Sequence, residues 1–341
     1  MSLEIRAVAL ADEELFAQWH ATYLAASEHE VGRFHTCWTL PELRVTMEPN
    51  RRRWSAGYVG LADGEVVVSG SVATSLMDNL DSAAVEVHTL PEARRRGHGS
   101  AMLEVLEDVA RSHGRSRLDS EATFPYAAGS AGDGVPAVEF AQRHDYRFGL
   151  SDVERELDLP VSDALLAQLA AEATPHHASY QLRSWVGDIP QDIALSWMTL
   201  SSSLMTEAPL GELEREPEVV DLDALREGET SVARQGRTRY NTVALDAAGE
   251  VVAYSDLVTT IHEPGRAYQW GTLVRRADRG HRLGLAVKVA NLLLLQRERP
   301  DITRLTTFNA EVNAHMIGVN ERLGFEPVAR LAEFQKRLTQ P

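Results

Sequence analysis

The sequence of 341 residues holds a single cysteine, Cys37. No internal disulfide can form, which agrees with a reducing compartment, and no cysteine-rich zinc site can be built. With Phe34 and Trp38 as neighbours, this thiol is expected to be buried and structural rather than nucleophilic. Long apolar runs are missing too: none approaches the roughly 18 residues that a membrane helix requires. The opening stretch Met1 to Arg6 lacks the basic and apolar regions of a secretory signal, so the expectation is a soluble, cytoplasmic protein with no membrane partner. Positive charge is also scarce. Against 50 Asp and Glu stand 34 Lys and Arg, a formal net charge of -16. Phosphate backbones are held by basic surfaces, so nucleic acid is not an expected partner, whereas a cationic substrate is compatible with the field. The densest acidic stretch, Glu207 to Glu229, reads as a solvated face or, alternatively, as a rim that attracts an amine.

What is present reads as two passes through one plan, because strand-like and helix-like periodicities recur in the same order. The first pass runs as a strand from Leu3 to Val8, a helix capped by Asp12, a short helix at Pro41 to Met47 and a hairpin turning at Asp63-Gly64. A strand from Ala83 to Leu90, a helix from Ser100 to Ser112, a strand from Arg117, a helix from Pro136 and a strand from Arg147 to Leu157 follow. The second pass has a strand at Tyr180 to Trp185, helices at Pro190 to Leu204 and Leu222 to Arg234, and a hairpin turning at Asp246 to Gly249. It continues with a strand at Tyr268 to Val274, a helix at Leu285 to Arg299, a strand at Arg304 to Phe308 and a helix at Asn313 to Arg322, and the strand Glu326 to Lys336 completes it. Arg94 and Arg279 lie 185 positions apart, and Arg117 and Arg304 lie 187 apart, as two copies of one unit require. The expected domains are residues 1–160 and 179–341, joined by a linker at 161–178.

The strand-to-helix junction Pro91-Glu-Ala-Arg94-Arg95-Arg96-Gly97-His98-Gly99-Ser100 suits an anion. The first N–H groups of a helix have no partner within it, and the helix dipole adds positive potential there. Gly97 and Gly99 let the backbone curl round a diphosphate while Arg94, Arg95 and Arg96 bring charge. The spacing fits neither a Walker loop nor the Gly-x-Gly-x-x-Gly of dinucleotide folds, which disfavours ATP and NAD. A looser copy, Arg279-Gly280-His281-Arg282-Leu283-Gly284, has an arginine where the first glycine is expected. That side chain either obstructs the loop or offers its guanidinium to a phosphate.

Arg94-Arg-Arg-Gly97-His-Gly99, between an apolar strand and an apolar helix, resembles motif A of the GNAT N-acetyltransferase superfamily. Asn309-Ala-Glu-Val-Asn313-Ala-His-Met316 followed by Gly324-Phe325 resembles its motif B. The overall likeness is to tandem GNAT proteins of the mycothiol synthase type. It implies an α/β (α+β) fold of two tandem domains, each a mixed, mostly antiparallel sheet flanked by helices, with acetyl-CoA as the cofactor. Carried over, the CoA-binding positions are His88, Thr89, Leu90 and Arg94 to Ser100 in the first half. In the second they are Leu273, Val274, Arg279 to Gly284, Asn309 and Asn313.

Acetyl transfer to an amine needs removal of a proton from an ammonium, and in these relatives a strand carboxylate often receives it. Glu86, just before the loop, is the first candidate and Glu121, on the next strand, the second; apolar neighbours would raise their pKa. Gly271 takes the place of Glu86 in the second half, which then needs another base or a water chain. The tyrosine that commonly protonates the thiolate in the family is replaced by Ala141 and Asn320. His29 and His35 lack the spacing of His-Glu-x-x-His, and Gly129-Ser-Ala-Gly132 misses the hydrolase elbow, so neither a metal nor a serine nucleophile is expected. The expected function is acetyl transfer from acetyl-CoA to the primary amine of a small molecule. The alternative is a noncatalytic CoA-binding module acting as a sensor or scaffold.

Overall fold

The last strand of the chain belongs to the first sheet. In the computed structural model, which describes residues 3–338, the chain forms two compact units, each assembled from separate segments. The first combines Met1–Asp152, Leu210–Arg215 and Ala329–Pro341; the second combines Val153–Pro209 and Glu216–Val328. The outermost residues of the expected domains, 1–2 and 339–341, lie outside the described residues.

The first unit begins with β1 (Glu4–Val8), α1 (Glu13–Val31), α2 (Leu40–Thr46), β2 (Arg53–Ala62), β3 (Glu65–Ser75) and β4 (Ser82–Thr89). It continues through α3 (His98–Ser112), β5 (Arg117–Pro125) and α4 (Pro136–Arg143) into β6 (Arg147–Asp158). Asp12 caps α1 by accepting a hydrogen bond from Leu15 N at 3.1 Å. Trp19 on that helix donates to Gly70 O on β3 at 2.9 Å. On the other face, Met102, Leu106 and Ala110 of α3 pack on Val68, Val72, Val85 and Leu118 of the sheet.

The second unit contains α5 (Asp163–Ala173), β7 (Gln181–Val186), α6 (Ala194–Ser201), α7 (Leu204–Glu207), α8 (Leu222–Arg234), β8 (Arg237–Leu245), β9 (Val251–Thr260) and β10 (Arg266–Val274). After these come α9 (Leu283–Glu298), β11 (Arg304–Ala310), α10 (Ala314–Leu323) and β12 (Glu326–Arg337). Asn291 on α9 donates to Tyr240 O and Ser255 O at 3.0 and 2.9 Å, fastening that helix to β8 and β9. Residues 161–178 are largely helical here: Leu166, Leu169 and Ala173 of α5 join the core that includes Leu292 and Leu295 of α9.

Strand order in the first unit is β1-β2-β3-β4-β5-β12, and in the second β6-β11-β10-β9-β8-β7. β12, expected to complete the second half, instead runs antiparallel to β5 from Ala329 opposite Pro125 to Arg337 opposite Arg117. Its Ala332 and Phe334 lie in the first unit's core. Conversely, β6 passes into the second unit at Val153. The expected helix from Pro190 to Leu204 is two pieces. The hydroxyls of Ser202 and Ser203 donate back to Thr199 O and Leu200 O at 3.1 and 2.8 Å, a local competition that bends or ends a helix. No described helix is long and apolar enough to cross a membrane.

Candidate functional site

In each unit a parallel strand pair parts at the foot of the arginine and glycine loop. β4 and β5 pair only from Ser82/Arg117 to Ala84/Asp119, after which β4 stays on β3 as far as Thr89 and β5 stays on β12. The edge of β4 from Val85 to Thr89, which carries His88, therefore has no partner on the β5 side. β10 and β11 likewise pair only from Arg266/Arg304 to Tyr268/Thr306, and β10 carries a bulge between Gln269 and Gly271. Leu273 and Val274 end the free edge in the second unit.

Beyond Leu90 the first loop enters the left-handed region at Arg95 (φ 62°) and again at Gly97 (φ 86°). The first hydrogen bond of α3 is donated by Ala101 N to Gly97 O at 3.0 Å, so the N–H groups of His98, Gly99 and Ser100 precede the ladder. A Cβ on Gly99 would sit 3.2 Å from Thr89 Oγ1 and 3.4 Å from Phe140, so only glycine leaves this wall loose. Ser100 Oγ and His144 Nε2 lie 2.9 Å apart. The charge is divided. Arg94 is half-buried, donating to Thr89 O at 3.3 Å and pairing with Glu30 of α1 at 2.5 Å, whereas Arg95 and Arg96 are exposed. Arg94 thus shapes the loop wall, and the free positive charge comes from the two arginines after it.

The second loop repeats this plan. Arg279 donates to Val274 O at 3.3 Å and pairs with Glu207 of α7 at 2.8 Å. The left-handed positions are Gly280 (φ 90°) and Arg282 (φ 54°), and Ala286 N to Arg282 O opens the α9 ladder at 3.0 Å. The Arg282 guanidinium is held by Glu172 of α5, which also holds Arg322. His281 is exposed, with Nδ1 3.3 Å from His176 O. Leu283 is buried, and a Cβ on Gly284 would meet nothing nearer than 3.6 Å. The motif B asparagines are engaged locally: Asn313 caps α10 by accepting from Met316 N at 3.3 Å, and Asn309 accepts from buried Asn320. Parts of the acidic run read as a solvated face are structural, since Glu207 grips Arg279 and buried Glu229 accepts from Ile189 N at 2.7 Å.

The two candidate carboxylates differ. Glu86 and Glu121 are both exposed by surface area, yet each stands among enough protein for partial desolvation to act on its carboxyl. Burial would raise Glu86, but His88, 3.5 Å away, with Arg53 and Ser71 outweighs it and lowers its pKa, contrary to the expectation from its apolar neighbours. Glu121 is pushed up to about 8 by burial and by the charges of Glu333, directly opposite on β12, and Glu86. Arg215 opposes this and is itself paired with Glu333. Cys37 is buried, and burial raises its thiol pKa, as a structural role requires. Among the described residues no cluster could hold a metal ion.

In the second unit the sequence missed a carboxylate on β9. Asp256 faces Gly271 in the β9/β10 register, on the rung where Ser71 faces Glu86 in the first unit. The signal available was an acid in the otherwise apolar and hydroxylic run Val251–Thr260. Phe308 stands where Glu121 stands, by the register of the two parallel pairs.

Residues 16–130 match the model of the acetyltransferase (GNAT) family. No curated protein matches the chain. Among solved structures, the chain is similar to a tandem GNAT protein from the clavulanic acid biosynthesis pathway, with 28% identity, a TM-score of 0.80 and complete coverage of both chains. It shares the fold of GCN5-related N-acetyltransferases from Sphaerobacter thermophilus (15% identity, TM-score 0.65, 99% of this chain and 96% of that one) and Kribbella flavida (11%, 0.51, 98% and 72%). Residues 16–130 thus match the GNAT acetyltransferase family, within a chain that is similar in fold to a tandem GNAT protein along its whole length.

Proposed function

We propose that the protein transfers an acetyl group from acetyl-CoA to the primary amine of a small molecule. The halves 1–160 and 179–341 would supply two acetyltransferase domains, with β12 of the second half completing the first unit and 161–178 packed in the second. The observation that carries this reading is the parted β4/β5 pair opening onto a loop with unsatisfied helix N–H groups. Such a loop suits a pyrophosphate, and the free β4 edge from Val85 to Thr89 offers peptide groups to an extended amide arm. Arg95, Arg96 and the N–H groups of Gly97 to Ser100 would hold the phosphates; Thr89 and Leu90 would guide the arm. Acetyl-CoA, when bound, supplies the thioester carbonyl that an amine attacks and the thiol that leaves.

In the first unit Glu86, held ionised by His88 and Arg53, attracts an ammonium, and Glu121, pushed up to about 8, takes its proton in the ionised fraction that grows as pH rises through that value. Glu333 adds to the negative field, so cationic amines are the favoured acceptors. The reading of a noncatalytic CoA-binding sensor or scaffold draws on Ala141 and Asn320, both buried where the family's acid tyrosine would stand. Calorimetry with acetyl-CoA, and free thiol release with a panel of primary amines, test the proposal. Binding with amine-dependent thiol release supports it, binding without release favours the sensor, and absence of binding overturns both.

A further inference from the structure

We propose that Asp256 is the proton-accepting carboxylate of the second unit, placed from β9 into the space that Glu86 fills from β4 in the first. The inference rests on the acetyltransferase reading above. Its ground is a reciprocal exchange on one rung: the first unit pairs Ser71 with Glu86, and the second pairs Asp256 with Gly271. Each rung holds one carboxylate and one small residue, with the strands reversed. The glycine is required by the exchange. A Cβ at 271 would lie 2.9 Å from Asp256 Oδ1 and 2.9 Å from Tyr254 Oη, so any other residue there would evict both.

The position is suited to the task. Gly271 lies past Tyr268/Thr306, on the stretch of β10 that has parted from β11 and leads to the Arg279–Gly284 loop. Asp256 is 6% exposed, and its Oδ1 has no hydrogen-bond partner. A buried acceptor left unmatched is costly, so this oxygen is suited to a donor brought from outside the chain, and an ammonium is such a donor. The groups facing it are Arg239 and Asn241 on β8, Tyr254 on β9 and the Gly271 N–H on β10; Trp197 of α6 packs on Tyr254 at 5.7 Å. Burial raises the Asp256 carboxyl to about 6, against the opposing pull of Arg239 and the Gly271 N–H, so the group is ionised at neutral pH. In the step itself one N–H bond of the ammonium breaks and its electron pair stays on nitrogen. The proton passes to the Asp256 carboxylate and from there to water.

The test uses the full chain carrying Glu86→Gln and Glu121→Gln, which removes both candidate carboxylates of the first unit. Without acetyl-CoA, carbon NMR of labelled aspartate carboxyls should show a titration near 6 that Asp256→Asn abolishes. Putrescine, L-lysine or glucosamine should lower that midpoint, because a neighbouring ammonium favours the carboxylate; no displacement by any of the three overturns the proposal. With acetyl-CoA and the same amines, thiol release should persist in this background and fall about 100-fold with Asp256→Asn. Asp256→Ser and Tyr254→Ser combined with Gly271→Glu rebuild the first unit's arrangement of Ser69, Ser71 and Glu86 and should restore at least about 10-fold over the Asp256→Ser, Tyr254→Ser pair alone, which a purely structural aspartate would not allow. Should Asp256→Asn fail to fold, the rebuilt rung decides: rescue supports the proposal and its absence overturns it. An unchanged rate in Asp256→Asn, or no residual turnover in the background, overturns this proposal alone. A wild-type chain that releases no thiol with any amine overturns the acetyltransferase reading and this proposal with it.

Discussion

In the first unit the left-handed positions before the helix are Arg95 and Gly97; in the second they are Gly280 and Arg282. Each loop has one glycine and one arginine at these turns, in opposite order, and each lead arginine is pinned to the end of its strand and to a glutamate. A non-glycine residue in this region costs roughly 1–2 kcal/mol, so it persists only where its surroundings hold it. For Arg282 that support includes Glu172. Together with the reversed Ser71/Glu86 and Asp256/Gly271 rungs, the comparison teaches that the fold fixes a turn and a location, while the residue or strand that supplies them is free to change.

The largest effect should come from the exchanged strand. Phe334→Ala removes a side chain that is 1% exposed in the first unit's core and meets Phe148 edge-on at 6.0 Å. The substitution should cost about 3–5 kcal/mol in denaturant unfolding. It should also lower hydrogen-exchange protection in Arg117–Pro125; loss confined to the second unit would break the assignment. Next, Glu121→Gln should reduce the kcat/KM of the first unit about 100-fold, read with Asp256→Asn present to silence the second.

The two units should also separate by pH. Each base acts ionised, so activity rises with pH through about 8 where Glu121 governs and through about 6 where Asp256 governs. Profiles of the two silenced backgrounds check this, and coincident limbs would remove the distinction. Stability runs the other way. A carboxyl raised by folding keeps its proton longer in the native state, so the Asp256 contribution is full below 3.8 and is lost as pH rises through about 6. The smallest effects belong to the loops. Gly97→Arg should weaken acetyl-CoA binding to the first unit about 10-fold, the equivalent of 1.4 kcal/mol of backbone strain. Arg282→Gly should change the second unit's affinity less than about 3-fold, since relief of strain offsets the lost Glu172 pair. Calorimetry distinguishes these outcomes.

Local features were legible in the sequence because their causes are local. The Asp12 cap, the glycine-rich junction and α8 from Leu222 to Arg234 follow from capping, turn chemistry and apolar spacing within a few residues. The break at Ser202 depends on which carbonyls the hydroxyls choose, and that is not written in hydropathy. β12 was legible as a strand but not as a member of the first sheet, because a period of two is the same whichever strand lies opposite. Glu121 was legible as a candidate whose surroundings raise its pKa, but the further push from Glu333 was not, because only that distant pairing brings Glu333 opposite it. Asp256 was hidden for the same reason: its meaning depends on facing Gly271.

The placement of β12 has a consequence for the birth of the molecule. Ala329 pairs with Pro125, which left the ribosome roughly 200 residues earlier, and closing so long a loop is entropically slow. While the second unit is being synthesised, the apolar edge of β5 with Leu118, Ala122 and Phe124 must wait without its neighbour. The nascent first unit therefore keeps that edge open until β12 arrives, and a nonsense mutation late in the coding sequence would injure the half of the protein that was made first.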